Sequence, residues 1–218
     1  MPVVFENDLE RNIPSRTLRL LSGFPVAVLA DVMGAGQVMS PSIRSLSTPS
    51  LVGRALPVEA FGQDNKVTLS ALAVSKPGDV LVITAGGCTD APLWGGLSTV
   101  EATRRKLGGV VVDGAIRDLA EIRALKLPCF ARLANPRTPH AGDGGRVGGT
   151  VTCGGVLVRF GDIVVGDDDG VVIVPFDRID DVVEKAQAKI ATEREIEQKV
   201  RSGASLATLF ALPTGKSK

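Results

Sequence analysis

The chain has 218 residues, of which 44% are hydrophobic and 22% charged, with a net charge of +1. That length is enough to bury a full core, and the near-zero charge gives no electrostatic reason to expect a nucleic-acid or membrane partner. The longest apolar runs, VLVIT and GVVIVP, are strand-length and far short of a bilayer span, and the N-terminus carries acidic residues with no apolar signal core.

In chain order, the N-terminal segment, about residues 1–45, reads as helical. Leu18, Leu20 and Leu21 and then PVAVLADVMG suggest two short pieces broken at Gly23–Pro25, and the Pro- and Ser-rich VMSPSIRSLSTPSLVG reads as loop with short extended pieces. From Gly53 the texture changes: RALPVEAF alternates as a strand does, NKVTLSALAVS suits a helix, and KPGDVLVIT is a turn feeding a buried strand. After Gly86–Gly87, the stretch GGLSTVEATRRKLG puts Leu97, Val100 and Leu107 on one apolar helical face, stopped at Gly108–Gly109. VVVDG is the next strand, RDLAEIRALKL a helix and PCFARLA a strand, and this alternation is the pattern of a parallel sheet. Past Pro136 a glycine-rich stretch leads to VLVRFGDIVVGDDDGVVIVP, which reads as short strands joined by Asp-Gly turns. A charged amphipathic helix over about residues 176–203 closes the chain, and with no linker in view the expectation is one mixed α/β domain over 1–218.

Few side chains carry chemistry. Gly86–Gly87 follows a strand and Gly95–Gly96 opens a helix, so uncrowded backbone N–H groups there suit a phosphate or carboxylate; the same glycines equally suit plain tight turns. Arg117 and Asp118 stand side by side where an apolar strand ends, the place at which open α/β sheets bind ligands. Arginine offers a fork for a carboxylate and aspartate a hard oxygen for Mg²⁺, whereas the plainer alternative is a helix-start aspartate beside a solvated arginine. Asp167–Asp168–Asp169–Gly170 lacks the spacing of a calcium loop and reads as a turn, and His140 reads as a surface histidine. Cys88, Cys129 and Cys153 are odd in number and widely spaced, which argues against a zinc site or disulfide framework and for reduced thiols in a cytoplasmic protein.

PGDVLVI, the WGG loop and GVVVDGAIRD, with LADVMG and MSPSIRSL upstream and GDIVVGDDDGVVIVP downstream, resemble the RraA-like family. That family includes the regulator of ribonuclease activity A and the 4-hydroxy-4-methyl-2-oxoglutarate aldolases, and the resemblance runs from about Asp31 into the terminal helix. It implies an α/β, layered β/β/α fold like the swivelling domains, with a mixed sheet and a C-terminal helix. It also implies a ring-shaped homotrimer, or a hexamer made of two trimers, with sites between subunits. By resemblance, Asp118 ligates a divalent metal (Mg²⁺ or Mn²⁺), and Arg117 holds the carboxylate and carbonyl side of a small 2-oxo acid. Gly95, Gly96, Leu97 and Ser98 supply N–H groups to the same carboxylate, and Glu193 or Glu195 of a neighbouring subunit completes the site.

The reaction so implied is metal-dependent C–C cleavage through a pyruvate enolate, either retro-aldol or oxaloacetate decarboxylation. The chain departs from the aldolase pattern where those enzymes carry a carboxylate, at Gly96, and Leu69 or a neighbour replaces a frequent histidine. Asp90 is the expected substitute for the missing carboxylate if its loop folds back. Two rival readings remain: a non-catalytic regulator that inhibits a ribonuclease by protein–protein contact, and an enzyme on the same scaffold with another substrate.

Overall fold

The computed structural model describes residues 2–6, 11–62, 65–87, 91–139 and 144–213. In chain order these form β1 (Val3–Phe5), α1 (Ser15–Leu21), α2 (Val26–Met33), β2 (Arg44–Ser45), β3 (Leu51–Ala60), α3 (Lys66–Val74), β4 (Asp79–Thr84), β5 (Pro92–Trp94) and α4 (Gly96–Arg104). There follow β6 (Gly109–Ile116), α5 (Leu119–Leu125), β7 (Cys129–Ala134), β8 (Gly145–Val147), β9 (Thr150–Cys153), β10 (Val156–Arg159), β11 (Ile163–Asp167), β12 (Gly170–Val174), α6 (Ile179–Arg201) and α7 (Leu206–Leu209).

β3, β4, β6 and β7 lie side by side and parallel, in register Leu56↔Leu81, Leu81↔Val110 and Val110↔Cys129. Their sequences are apolar on both faces because both faces are covered, and every residue of β4 is buried. Helices α3, α4 and α5 are the crossovers, and Val67, Leu72, Ala102 and Ile122 pack on Leu81, Ile83, Val110 and Val112. The opposite face, with Val80, Val82, Val111 and Phe130, is covered by the β9–β10 hairpin and by β11–β12 through Val151, Val158, Val164 and Ile173. The far side of β11–β12 carries a further helical layer, in which Leu29 of α2 and Val182 and Ala186 of α6 meet Ile163, Val165 and Val174.

The architecture is therefore α/β, with layered sheet and helices, a mixed sheet and a long C-terminal helix. Antiparallel partners surround the parallel centre: β3 pairs with β8 along its C-terminal half and with β11 along its N-terminal half. The aspartate run is a turn, with Asp167 opposite Gly170. Its carboxylate also accepts the N–H groups of Asp169 (2.9 Å) and Val26 (2.9 Å), so it tethers the start of α2. Asp113 of β6 pairs with Arg132 of β7 and accepts the Gly154 N–H at 2.7 Å, which fastens the hairpin to the strand ends.

Two sequence readings need correction. The N-terminal segment opens with a strand, Val3–Phe5, parallel to β8, because three residues are enough to cover that edge of the sheet. On α4, Leu97 and Val100 point outward, 87% and 51% exposed, while Gly96, Thr99 and Ala102 form the buried face. Small residues let this helix sit close to its neighbours, and that closeness outweighs the apolar periodicity read from the leucine and valine. Among the described residues no helix is long and apolar enough to cross a membrane.

Burial raises both described thiols, Cys129 to about 12 and Cys153 above its ordinary range, so neither carries a thiolate near neutral pH. Peptide-level mass spectrometry after iodoacetamide treatment at pH 8 is expected to find both unmodified in native protein and both labelled in denaturant. Rapid native labelling of either would contradict the packing described.

Candidate functional site

The end of β6 is pinned on both sides. The Arg117 N–H donates to Trp94 O of β5 (3.0 Å), and the Asn135 N–H, just past β7, donates to Ile116 O (2.8 Å). Asp118 then adopts a left-handed conformation (φ 57°, ψ 40°), and its carbonyl accepts the Ile122 N–H of α5 at 3.1 Å. One residue thus turns a strand into a helix, at a backbone cost of about 1 kcal/mol that aspartate tolerates better than most. The turn sets Arg117 and Asp118 at the carboxyl edge of the sheet, 38% and 43% exposed, with Arg117 Nε 3.4 Å from Asp118 Oδ2.

The second half of the site is the start of α4. The Gly96 N–H donates to Asp118 Oδ2 at 3.0 Å. A Cβ at Gly95 would lie 2.8 Å from that same oxygen and 3.2 Å from Arg117 Cγ. Behind the glycines Thr99 is fully buried: its hydroxyl accepts the Trp94 indole N–H at 2.7 Å and donates to Gly95 O at 2.9 Å. The loop is held from inside while the Gly96 N–H is turned toward Asp118.

Gly96 has a further consequence. A Cβ there would overlap Glu121 Oε2 and lie 2.9 Å from Glu121 Cδ and 3.4 Å from Asp118 Cβ. The carboxylate of Glu121, one helical turn after Asp118, therefore occupies the notch left by the missing side chain. Two carboxylates and a guanidinium converge beside a cavity of about 230 Å³ lined by Arg117, Asp118, Ala134, Asn135 and Pro136. Hard carboxylate oxygens at a solvent-open edge fit a Mg²⁺- or Mn²⁺-type cation, which keeps several waters and needs only one or two protein ligands. Among the described residues no group of three or more His, Cys, Asp or Glu is placed to hold a metal.

Gly95, Gly96, Arg117 and Asp118 are thus brought together. Leu97 and Ser98 occupy the first turn of α4, where the Leu97 side chain faces solvent and only backbone is offered inward. Glu193 is ion-paired with Lys189 of its own helix at 3.1 Å. Glu195 is exposed, and neither glutamate has a hydrogen bond or ion pair to the site among the described residues. Asp90, Cys88 and His140 lie outside the described residues. Glu121, Asn135 and Thr99 escape the sequence reading, although RDLAE does place a carboxylate one helical turn after Asp118.

Comparison with known proteins is consistent with this geometry. The RraA-like family model, described as Aldolase/RraA, matches residues 26–173. A protein of Halalkalibacterium halodurans named "Putative 4-hydroxy-4-methyl-2-oxoglutarate aldolase" is 34% identical over 81% of this chain and 84% of its own. The crystal structure of an uncharacterized protein from Pseudomonas syringae pv. tomato superimposes with a TM-score of 0.79 at 26% identity, covering 91% of this chain and 98% of that one. RraAS2 of Streptomyces coelicolor, described as an unusual member of the RNase ES inhibitor RraA protein family, gives a TM-score of 0.77 at 25% identity, covering 86% of this chain and 100% of the other.

Thr99→Val keeps the shape of the α4 start but leaves the Trp94 indole N–H without an acceptor. Urea denaturation is expected to show a loss of about 1–3 kcal/mol. An unchanged midpoint would contradict the role given to that hydroxyl.

Proposed function

The chain belongs to the RraA-like family, and on that footing we propose that it is a divalent-metal-dependent lyase cleaving a C–C bond of a small 2-oxo acid. 4-Hydroxy-4-methyl-2-oxoglutarate and oxaloacetate are the substrates this reading favours. The observation that carries it is the Glu121 carboxylate in the notch beside Gly96, next to Arg117 and Asp118. By resemblance, active aldolases bear a carboxylate at the position of Gly96, and here a carboxylate occupies the same space from another element.

Asp118 is the proposed direct metal ligand, and Glu121 the group that accepts hydrogen bonds from the waters around it. The Arg117 guanidinium offers a fork to the substrate carboxylate, and the Leu97 and Ser98 N–H groups at the α4 start add donors to the same anion. A divalent cation bound at Asp118 supplies Lewis-acid polarisation of the substrate's 2-oxo group. Bond cleavage leaves its electron pair on C3 as pyruvate enolate, which takes a proton from water to give pyruvate; in retro-aldol cleavage the 4-hydroxyl gives its proton to water as the second pyruvate's carbonyl forms, and in decarboxylation CO₂ departs instead. Asn135, whose backbone N–H is fixed at the strand end, lines the cavity where the rest of the substrate would lie.

The same reading includes assembly as a homotrimer or hexamer. Leu97 beside the site is 87% exposed, and Ile196, Val200, Leu206 and Phe210 line an apolar cavity of about 440 Å³ along the outer half of α6 and α7. Apolar surface of this kind is what a neighbouring copy covers. A second reading, inhibition of a ribonuclease by protein–protein contact, is supported by the similarity to RraAS2 and by the structure of the RNA-processing inhibitor RraA from Thermus thermophilis, with a TM-score of 0.63.

Pyruvate release from oxaloacetate with Mg²⁺ or Mn²⁺ separates the two. The lyase is expected to need the metal, to stop in EDTA, and to lose at least about 100-fold in kcat/KM in Asp118→Ala. No turnover of any 2-oxo acid, with a metal-independent ribonuclease complex in its place, would establish the regulator.

A further inference from the structure

At the opposite edge of the sheet a second pocket is built from basic side chains. β3 and β4 run parallel to β6, so the N-terminal ends of these strands lie roughly 20 Å of strand away from the carboxyl edge that holds Arg117 and Asp118. There a cavity of about 360 Å³ is lined by Arg11, Asn12, Arg54 and Lys76. All four side chains carry N–H donors, and among the described residues no carboxylate lines that cavity.

Arg54 is immobile. Its fork grips Asp79 (Nε to Oδ1 2.8 Å, Nη2 to Oδ2 3.1 Å), its plane lies over the Phe160 ring at 5.0 Å, and Nη1 donates to Arg11 O at 2.7 Å. Arg11 is held differently. Its guanidinium sits 5.0 Å over the Phe176 ring, and its stem crosses Gly161 (φ +89°), where a Cβ would run into Arg11 Cδ. Lys76 heads the turn into β4, and its backbone N–H is taken by Asp79 Oδ2 at 2.8 Å.

Charge is left over. Arg54 is neutralised by Asp79, whereas neither Arg11 nor Lys76 has an ion-pair partner among the described residues. Asp162 feels the charge of Arg11, but its oxygens are taken by the N–H groups of Arg159 (2.8 Å) and Phe176 (3.0 Å). A guanidinium ordered by stacking loses little freedom on meeting a ligand, and its spread of donors suits a phosphoryl group.

We propose that this pocket is a phosphoryl-binding site, separate from the lyase site, with Arg11 and Lys76 as the charge partners and Arg54 and Asn12 as further donors. The ligand is a small phosphorylated compound or free phosphate, and the proposal does not depend on the lyase reading.

The test is calorimetric titration of inorganic phosphate and of glycerol 3-phosphate at fixed ionic strength into the full chain and three variants. Saturable binding of one ligand per chain is expected. It should weaken at least about tenfold in Arg11→Gln and in Lys76→Gln, and persist in Arg117→Ala, which disables the other anion site. Tighter binding of the ester would identify a phosphorylated metabolite, and equal binding would identify free phosphate; both support the site. Absence of saturable binding to the wild type, or loss in Arg117→Ala with none in Arg11→Gln or Lys76→Gln, would overturn it. If Arg11→Gln fails to fold, the exposed Lys76→Gln decides.

Discussion

The site depends on one close approach, that of the Gly95–Gly96 peptide to the Asp118 carboxylate. Its N–H lies 3.0 Å from Oδ2, and a Cβ at Gly95 would crowd that oxygen at 2.8 Å. Asp118 reaches this position only by adopting a left-handed backbone at the junction of β6 and α5. Both segments give up something local: α4 begins on a glycine, a residue of low helix propensity, and α5 begins from a strained residue. What results is an anionic edge with a guanidinium beside it and backbone N–H groups opposite.

The parallel centre of the sheet makes that approach possible. β5 and β6 end together, with Trp94 paired to Ile116, so the loop after β5 and the turn after β6 meet at one edge, and the Thr99–Trp94 hydrogen bond holds the start of α4 against β5. The two-sided apolar strands that build this centre were legible in VLVIT and GVVVDG, because burial on both faces leaves no other residue choice. Arg117 and Asp118 were legible for the same reason: an adjacent cation and anion have no place inside such a strand and so mark its end.

Other features could not be read in one dimension. The apolar periodicity of α4 pointed to Leu97 and Val100 as core, yet the helix packs through Gly96, Thr99 and Ala102, because close packing of small residues leaves no spacing signal of its own. Proximity in sequence points to Asp90, outside the described residues, as a substitute for the missing carboxylate. Glu121 lies 25 positions further on, counted from 96 to 121, and only the packing of α5 against α4 shows its carboxylate in the empty notch. The basic pocket at the other edge is likewise invisible in the chain order, since Arg11, Arg54 and Lys76 share no motif.

The central claim is that Glu121 does from α5 what a carboxylate at position 96 does in the aldolases the chain resembles. Mn²⁺ affinity, followed by the loss of the free-ion paramagnetic resonance signal, tests it most directly in the wild type, Glu121→Gln, and the double variant Gly96→Asp/Glu121→Ala. About 10–100-fold weaker binding is expected in the single variant, and recovery of most of that loss in the double, where truncation at position 121 frees the notch for the new carboxylate. Wild-type affinity in Glu121→Gln would contradict it.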